Sequence, residues 1–223
     1  MSLFKFEKYI MEGKGDCILT YFGCFSPPTN GHLFVMSAAY NHMKSLGFNV
    51  LKVFIIPAHG GYSKMKEGLM EAPHRVKMCQ IMAKDIDFIE CDSVEADKDH
   101  WSRTIDTLGY FKEKFPDKRI FLICGIDTID VFETKWREPD IYRILSEFGL
   151  VVLKRTDEDL SNIESHCKYL VGRTQNVFII PSNPLNNVSS TLVRTKLGNG
   201  ERICGLIPID VEKYIYENHL YNT

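Results

Sequence analysis

The stretch Cys17-Ile-Leu-Thr-Tyr-Phe22, Gly23-Cys-Phe-Ser-Pro-Pro-Thr-Asn-Gly-His32, Leu33-Phe-Val-Met-Ser-Ala-Ala-Tyr40 decides how this chain folds. Its first part is an apolar run too short for a helix and reads as a buried strand. A turn punctuated by glycine and proline follows, and then apolar residues at helical spacing. A strand running through a tight loop into a helix aims backbone N–H groups, and the positive end of the helix dipole, at whatever lies above the strand end. That geometry suits phosphate. The loop lacks the G-K-[ST] of a Walker loop and the G-x-G-x-x-G dinucleotide fingerprint.

The same alternation continues outward. Strands are expected at 17–22, 50–56, 88–91, 119–124, 150–153 and 177–180. Helical spacing covers 31–45, 73–84, 102–114, the region 127–147, 159–171, 190–197 and 209–218. Parallel neighbours need crossover connections, usually helices, so the pattern predicts an α/β fold: a Rossmann-like, doubly wound parallel sheet in a single domain over 1–223. Ligands then belong at the strand C-termini. The least regular stretch, Pro57-Ala-His-Gly-Gly-Tyr-Ser-Lys-Met-Lys-Glu-Gly68, is rich in glycine and lysine. It reads equally as a phosphate-facing loop and as a solvated connector.

Composition narrows the partners. The formal net charge of −2 provides no chain-wide basic field, so a nucleic acid polymer is not expected. Seven scattered cysteines without a C-x-x-C pair fit reduced thiols better than a disulfide framework or zinc site. No long apolar span points to a membrane. The expected compartment is the cytoplasm, with the nucleus also open, and a homo-oligomer is left open.

Two motifs could handle phosphate. His32 at the start of the first helix can hydrogen-bond a phosphoryl oxygen and take on positive character as charge develops. Read alone, a helix-end histidine packed on the sheet is the slightly commoner meaning. Near the other end, Asn186-Asn-Val-Ser189-Ser190-Thr191-Leu-Val-Arg194 puts hydroxyls at a helix start with a guanidinium about one turn on. A planar fork of donors suits phosphate oxygens, although a capping Ser with a surface arginine is the commoner meaning of such a string.

Taken together, T-N-G-H after the first strand and the late S-S-T-x-V-R resemble the nucleotidyltransferase superfamily. The segment Gly23–His32 is similar to that of eukaryotic nicotinamide/nicotinate mononucleotide adenylyltransferases. The similarity runs on through Tyr62-Ser-Lys64, Pro73-His-Arg75, His100-Trp101, Cys124-Gly-Ile-Asp127, Trp136, the run ending at Arg155, and the close at Tyr221. The resemblance implies that His32 stabilises the α-phosphate of ATP. It places Gly23 and Phe25 beside ATP, Ser189, Ser190, Thr191 and Arg194 on the β- and γ-phosphates, Gly125 and Asp127 at the adenosine ribose, and Asn186 near the adenine. Cys24, Lys64 and Arg155 would meet the mononucleotide, Trp101 and Trp136 would flank its pyridine ring, and Thr104 would lie near its amide. Mg²⁺ would bind through ATP phosphates, with no dedicated protein metal site.

Cys24 departs from the family serine and Ser26 from an asparagine, and Lys66 rivals Lys64 in a loop about one residue longer. Two readings compete with the adenylyltransferase. One is a relative acting on phosphopantetheine or a phosphorylated alcohol, against which the paired tryptophans argue. The other is a catalytically silent nucleotide sensor or chaperone, against which intact His32 and Arg194 argue.

Overall fold

The computed structural model describes residues 14–61, 68–154, 163–180 and 187–223. Six strands form one parallel sheet: β1 (Asp16–Gly23), β2 (Asn49–Pro57), β3 (Ile89–Cys91), β4 (Arg119–Gly125), β5 (Leu150–Leu153) and β6 (Val177–Ile180), in the order β3-β2-β1-β4-β5-β6. The chain winds outward from β1 in one direction and then returns to wind outward from β4 in the other. Strand order therefore reverses between β1 and β4, whose ends diverge into a crevice. Thr20 Oγ1 donates to the Phe121 carbonyl at 3.0 Å across this central pair.

Both faces of the sheet are buried, which is why the strands read as nearly continuous apolar runs. Alternate side chains serve opposite cores. Leu19, Val53, Ile55, Phe121, Ile123 and Val151 enter one cluster. Ile18, Phe54, Ile56, Leu122, Leu150 and Val152 enter the other. The first cluster is covered by α1 (Asn30–Ser45), α2 (Ala72–Ala83), α7 (Ser190–Gly198) and α8 (Ile209–Glu217). The second lies under α3 (Thr104–Lys114), α4 (Ile126–Asp130), α5 (Phe132–Lys135) and α6 (Glu138–Glu147). No helix among the described residues is long and apolar enough to cross a membrane.

Two helical expectations change. The region 127–147 is three short helices rather than one, broken at Val131 and at Trp136, whose backbone is extended (φ −107°, ψ 149°). Pro139 sits in the first turn of α6, where its missing N–H costs nothing, and this restart leaves Trp136 at a break rather than inside a helix. The expected helix at 159–171 falls partly outside the described residues. Within them it consists of two 3₁₀ turns, Ile163–His166 and Lys168–Leu170, separated by an extended Cys167. Ile163, Cys167 and Leu170 are all buried in the second core. Apolar spacing reported which residues face inward there, but not the hydrogen-bond ladder that holds them.

Gly149, just before β5, has no room for a side chain. A Cβ there would lie 2.6 Å from Phe121 Cδ1 and 2.7 Å from the Asn176 carbonyl oxygen, and the backbone contact cannot rotate away. Gly149→Ala should therefore destabilise the protein by about 1–3 kcal/mol. Thermal melting would show this as a drop of several degrees, on the order of 2–4 °C per kcal/mol at this size. An unchanged Tm would mean that β5 shifts freely against β4.

Candidate active site

Where β1 and β4 part, their C-terminal ends frame a cavity of about 300 Å³. Tyr21, Phe22, Gly23, Phe25 and His32 line it from the β1 side. Leu122, Ile123, Cys124, Gly125, Asp127 and Thr128 line it from the β4 side, and Thr104 and Trp136 complete it. A larger groove of about 540 Å³ lies along β3 at the outer edge of the sheet, near Lys52 and Asp87. The crevice between β1 and β4 carries the motifs and is where a doubly wound sheet receives ligands.

His32 is held by the turn that starts its own helix. Thr29 caps α1, and its backbone N–H donates to His32 Nδ1 at 2.9 Å. A backbone N–H can only donate, so Nδ1 is the acceptor and the imidazole proton resides on Nε2. The Thr29 hydroxyl lies 2.8 Å from the same nitrogen and 3.1 Å from the Val188 carbonyl, to which it donates. His32 thus presents the cavity with a neutral N–H donor of fixed orientation. Phe25 packs edge-on against its ring at 5.0 Å and against Tyr21 at 5.4 Å.

Phe25 explains Gly23. Its backbone is left-handed (φ 46°), an uncommon conformation for a residue with a side chain, and it turns the ring back over the end of β1. A Cβ at Gly23 would lie 2.9 Å from Phe25 Cζ. The close approach that requires glycine is thus made by the ring that supports His32.

The two motifs from opposite ends of the chain meet. Ser189 caps α7, accepting from the Leu192 N–H at 3.2 Å. Ser190 Oγ donates to the Pro27 carbonyl at 2.7 Å. Arg194 Nη1 donates to the Ser26 carbonyl at 2.8 Å, and its Nη2 donates to Thr191 Oγ1 at 3.3 Å. The start of α7 is therefore fastened against the loop between β1 and α1, and the N-terminal ends of both helices border one place.

Other expected residues are distributed unevenly. Thr104 and Trp136 line the cavity, with Trp136 packed on Phe132 at 5.0 Å. Trp101 is not among its lining residues; it is 41% exposed and lies against Gly61. Cys24 is half-buried, and its carbonyl accepts from Arg75. Lys64, Lys66, Arg155 and Asn186 lie outside the described residues. Cys124, in the cavity wall, is pushed up to about 12 by burial and by the charge of Asp127, so it stays a thiol rather than a nucleophilic thiolate. Arg103, a cation near Trp101, is spoken for: it pairs with Asp106 at 2.7 Å and with Asp140 at 2.9 Å.

One group was missed by sequence reasoning. Arg75 on α2 is fully buried, and its guanidinium donates to the carbonyls of Met70 (2.9 Å), Cys24 (2.9 Å) and Ala58 (2.7 Å). Pro73-His-Arg75 carries family resemblance, yet no spacing rule indicates that an arginine in a helix's first turn will turn inward. Nearby Glu95 is also buried. Burial pushes its carboxyl up to about 7, against the opposing pull of Lys98, the His59 N–H and Arg75. Between its unfolded value near 4.5 and about 7 the native state holds the extra proton, so this group lowers stability as pH rises through that window. Glu95→Gln should raise Tm more at pH 8 than at pH 5, by a difference on the order of 5 °C. Equal changes at both pH values would mean the carboxyl is ionised throughout.

Comparison with known proteins agrees with this geometry. Residues 20–196 match the family model described as cytidylyltransferase-like. The chain is 30% identical over 220 residues to the nicotinamide/nicotinic acid mononucleotide adenylyltransferase of Arabidopsis thaliana, covering 94% of this chain and 92% of that one. It is 30% identical to nicotinamide/nicotinic acid mononucleotide adenylyltransferase 2 of Caenorhabditis elegans, over 89% of this chain and 95% of the relative. Among solved structures, Plasmodium falciparum nicotinic acid mononucleotide adenylyltransferase complexed with NaAD superposes with a TM-score of 0.69 at 21% identity, covering 93% of this chain and 98% of the other. The strand order, the capped His32 and the docked α7 are thus set in a chain that belongs to the nicotinamide/nicotinic acid mononucleotide adenylyltransferases of the cytidylyltransferase-like family.

Proposed function

We propose that this chain, acting as a single domain over 1–223, joins the 5′-phosphate of nicotinamide or nicotinate mononucleotide to the AMP part of ATP. The products are NAD, or its deamido form, and pyrophosphate. The observation that carries the reading is His32, held as an Nε2–H donor at the switch point of the sheet beside the start of α7. A phosphate oxygen of the mononucleotide attacks the α-phosphorus of ATP in line. The new P–O bond forms as the bond to the β-phosphate's bridging oxygen breaks, and pyrophosphate leaves with the electron pair. No covalent enzyme intermediate is needed, so catalysis rests on positioning and charge neutralisation.

In this reading His32 donates to an α-phosphate oxygen. A neutral, pre-aimed N–H gives most where charge accumulates in the transition state. Gly23 and Phe25 border the same phosphate. Ser189, Ser190, Thr191 and Arg194 take the β- and γ-phosphates, with backbone N–H groups at the start of α7. Gly125 and Asp127 meet the adenosine ribose, and Asn186 the adenine. Cys24, Lys64 and Arg155 attend the mononucleotide, whose ring lies by Trp136, Trp101 and Thr104. Mg²⁺ would enter with the ATP phosphates and help neutralise their charge, with no residue of this chain assigned to hold it. Among the described residues no three His, Cys, Asp or Glu side chains gather into a cage. Free, scattered cysteines support a cytoplasmic location.

His32→Ala should lower kcat by about a hundredfold or more while changing the KM for ATP little, because the lost contact belongs to the transition state. Pyrophosphate release measured over a range of ATP concentrations checks this. A fall of less than about tenfold, or about 1.4 kcal/mol, would remove His32 from the central role.

Stacking reads a flat ring and not its substituent, and Arg103, the nearest strong cation to Trp101 in sequence, is already paired with two carboxylates. The ratio of kcat/KM for the nicotinamide and nicotinate mononucleotides should therefore stay below about a hundredfold. A larger ratio would require a dedicated polar reader of the amide or acid. No pyrophosphate from either substrate would sink the enzymatic reading altogether.

A further inference from the structure

We propose that Cys79 and Cys91 form a redox-modification site, in which the two thiols close to a reversible disulfide when a peroxide reaches Cys91. The pair lies apart from the crevice between β1 and β4. Cys79 is on α2, and Cys91 ends β3, the strand at one edge of the sheet.

Two contacts bring the sulfurs together. The Cys91 thiol donates to the Val76 carbonyl at 3.8 Å. A helical side chain leans towards the preceding turn, so the Cys79 sulfur stands over the carbonyls three and four residues before it, those of Val76 and Arg75. Cys91 is thus anchored on the patch of helix that Cys79 covers, and the two thiols share a hydrogen bond. With the Cys91 proton committed to Val76, Cys79 is the donor and the Cys91 sulfur accepts. Sulfurs already in contact reach bonding geometry by side-chain rotation, without α2 sliding along the sheet.

The surroundings divide the work between them. Cys79 is fully buried, and burial, reinforced by the bond it gives to Cys91, pushes its thiol well up. Cys79 is therefore shielded from an oxidant in solution. Cys91 is half-buried and lines the groove of about 540 Å³ along β3, which gives small molecules a way in. A peroxide in that groove transfers one oxygen to the Cys91 sulfur, leaving a sulfenic acid and releasing water or an alcohol. The Cys79 sulfur then attacks the sulfenic sulfur. The S–S bond forms, the S–O bond breaks, and the hydroxyl departs as water with the Cys79 proton. Overall the two thiols lose two electrons and the peroxide gains them. In a reducing compartment such a bridge is transient, which suits sensing better than structural support.

The test uses the full chain carrying Cys204→Ser, which removes an exposed thiol, and a modest molar excess of hydrogen peroxide. The product should have lost two hydrogens in mass and two free thiols, and dithiothreitol should restore both. Lys84 lies between the two cysteines, so trypsin should release Met78–Lys84 joined to Asp85–Lys98. Cys79→Ala should leave at Cys91 a sulfenic acid that dimedone traps, whereas Cys91→Ser should leave Cys79 unmodified. The oxidised chain should melt no lower than the reduced one, because a bridge formed within the native fold restrains the unfolded chain. Cys24 is the rival partner: it is half-buried, its carbonyl accepts from Arg75, and Cys79 also lies near that guanidinium. A Cys24–Cys79 link, the absence of any linked peptide, oxidation of Cys79 in Cys91→Ser, or a lowered Tm would each overturn the inference. The peptide map of the Cys204→Ser chain decides the matter even where a variant at the buried Cys79 fails to fold. None of these readouts uses ATP or a mononucleotide, so their failure and a failure of the proposed reaction are separate results.

Discussion

A parallel sheet buried on both faces has only its strand ends left for chemistry, and that constraint organises everything else here. Alternate residues of β1, β2, β4 and β5 are committed to two cores, so the polar groups offered to a ligand come from the strand ends and the loops that follow them. The order β3-β2-β1-β4-β5-β6 then supplies one place where neighbouring strands send their following loops to opposite faces. The loop after β1 and the helix after β4 border the resulting cavity, with the first residue of α3, Thr104, and the break before α6, at Trp136, completing it.

Within that place, precision comes from hydrogen bonds that use backbone groups rather than pairs of charged side chains. His32 is aimed by the N–H of Thr29, and α7 is docked through the carbonyls of Ser26 and Pro27. Arg75, fully enclosed, is surrounded by three carbonyl oxygens. A buried guanidinium satisfied by dipoles is costly to leave half-satisfied, so the segments that supply those dipoles are held in mutual register. The formal charge of the chain is slightly negative, yet the surroundings proposed for the phosphates are made of N–H dipoles and a few local cations. Such a site attracts a small anion without creating a field that would collect long polyanions.

Much of this was legible in the sequence. Apolar runs of strand length separated by helical spacing dictate parallel pairing, because buried strands joined by crossovers leave no other economical arrangement. All six strands appear where that pattern puts them, and the capping of α1 by Thr29 and of α7 by Ser189 follows from residue types that satisfy orphan N–H groups. The pattern failed where it reports burial alone. At 163–170 the inward residues keep helical spacing while the chain forms 3₁₀ turns, and at Trp136 a restart near Pro139 breaks an otherwise helical run.

The sequence by itself determined the alternation of elements, the residues that face the cores, and the two motifs whose chemistry suits phosphate, since these depend on periodicity and side-chain type over a few residues. Only the tertiary structure decided that Gly23 makes room for the Phe25 ring, that His32 keeps its proton on Nε2, and that Arg75 turns inward. It alone decided that Ser26 meets Tyr221 from the far end of the chain. Each of these is a contact between groups whose partners are chosen by packing in three dimensions. A hydrogen bond spanning 195 residues leaves no periodic trace along the chain, because its geometry exists only once the sheet and both cores have formed.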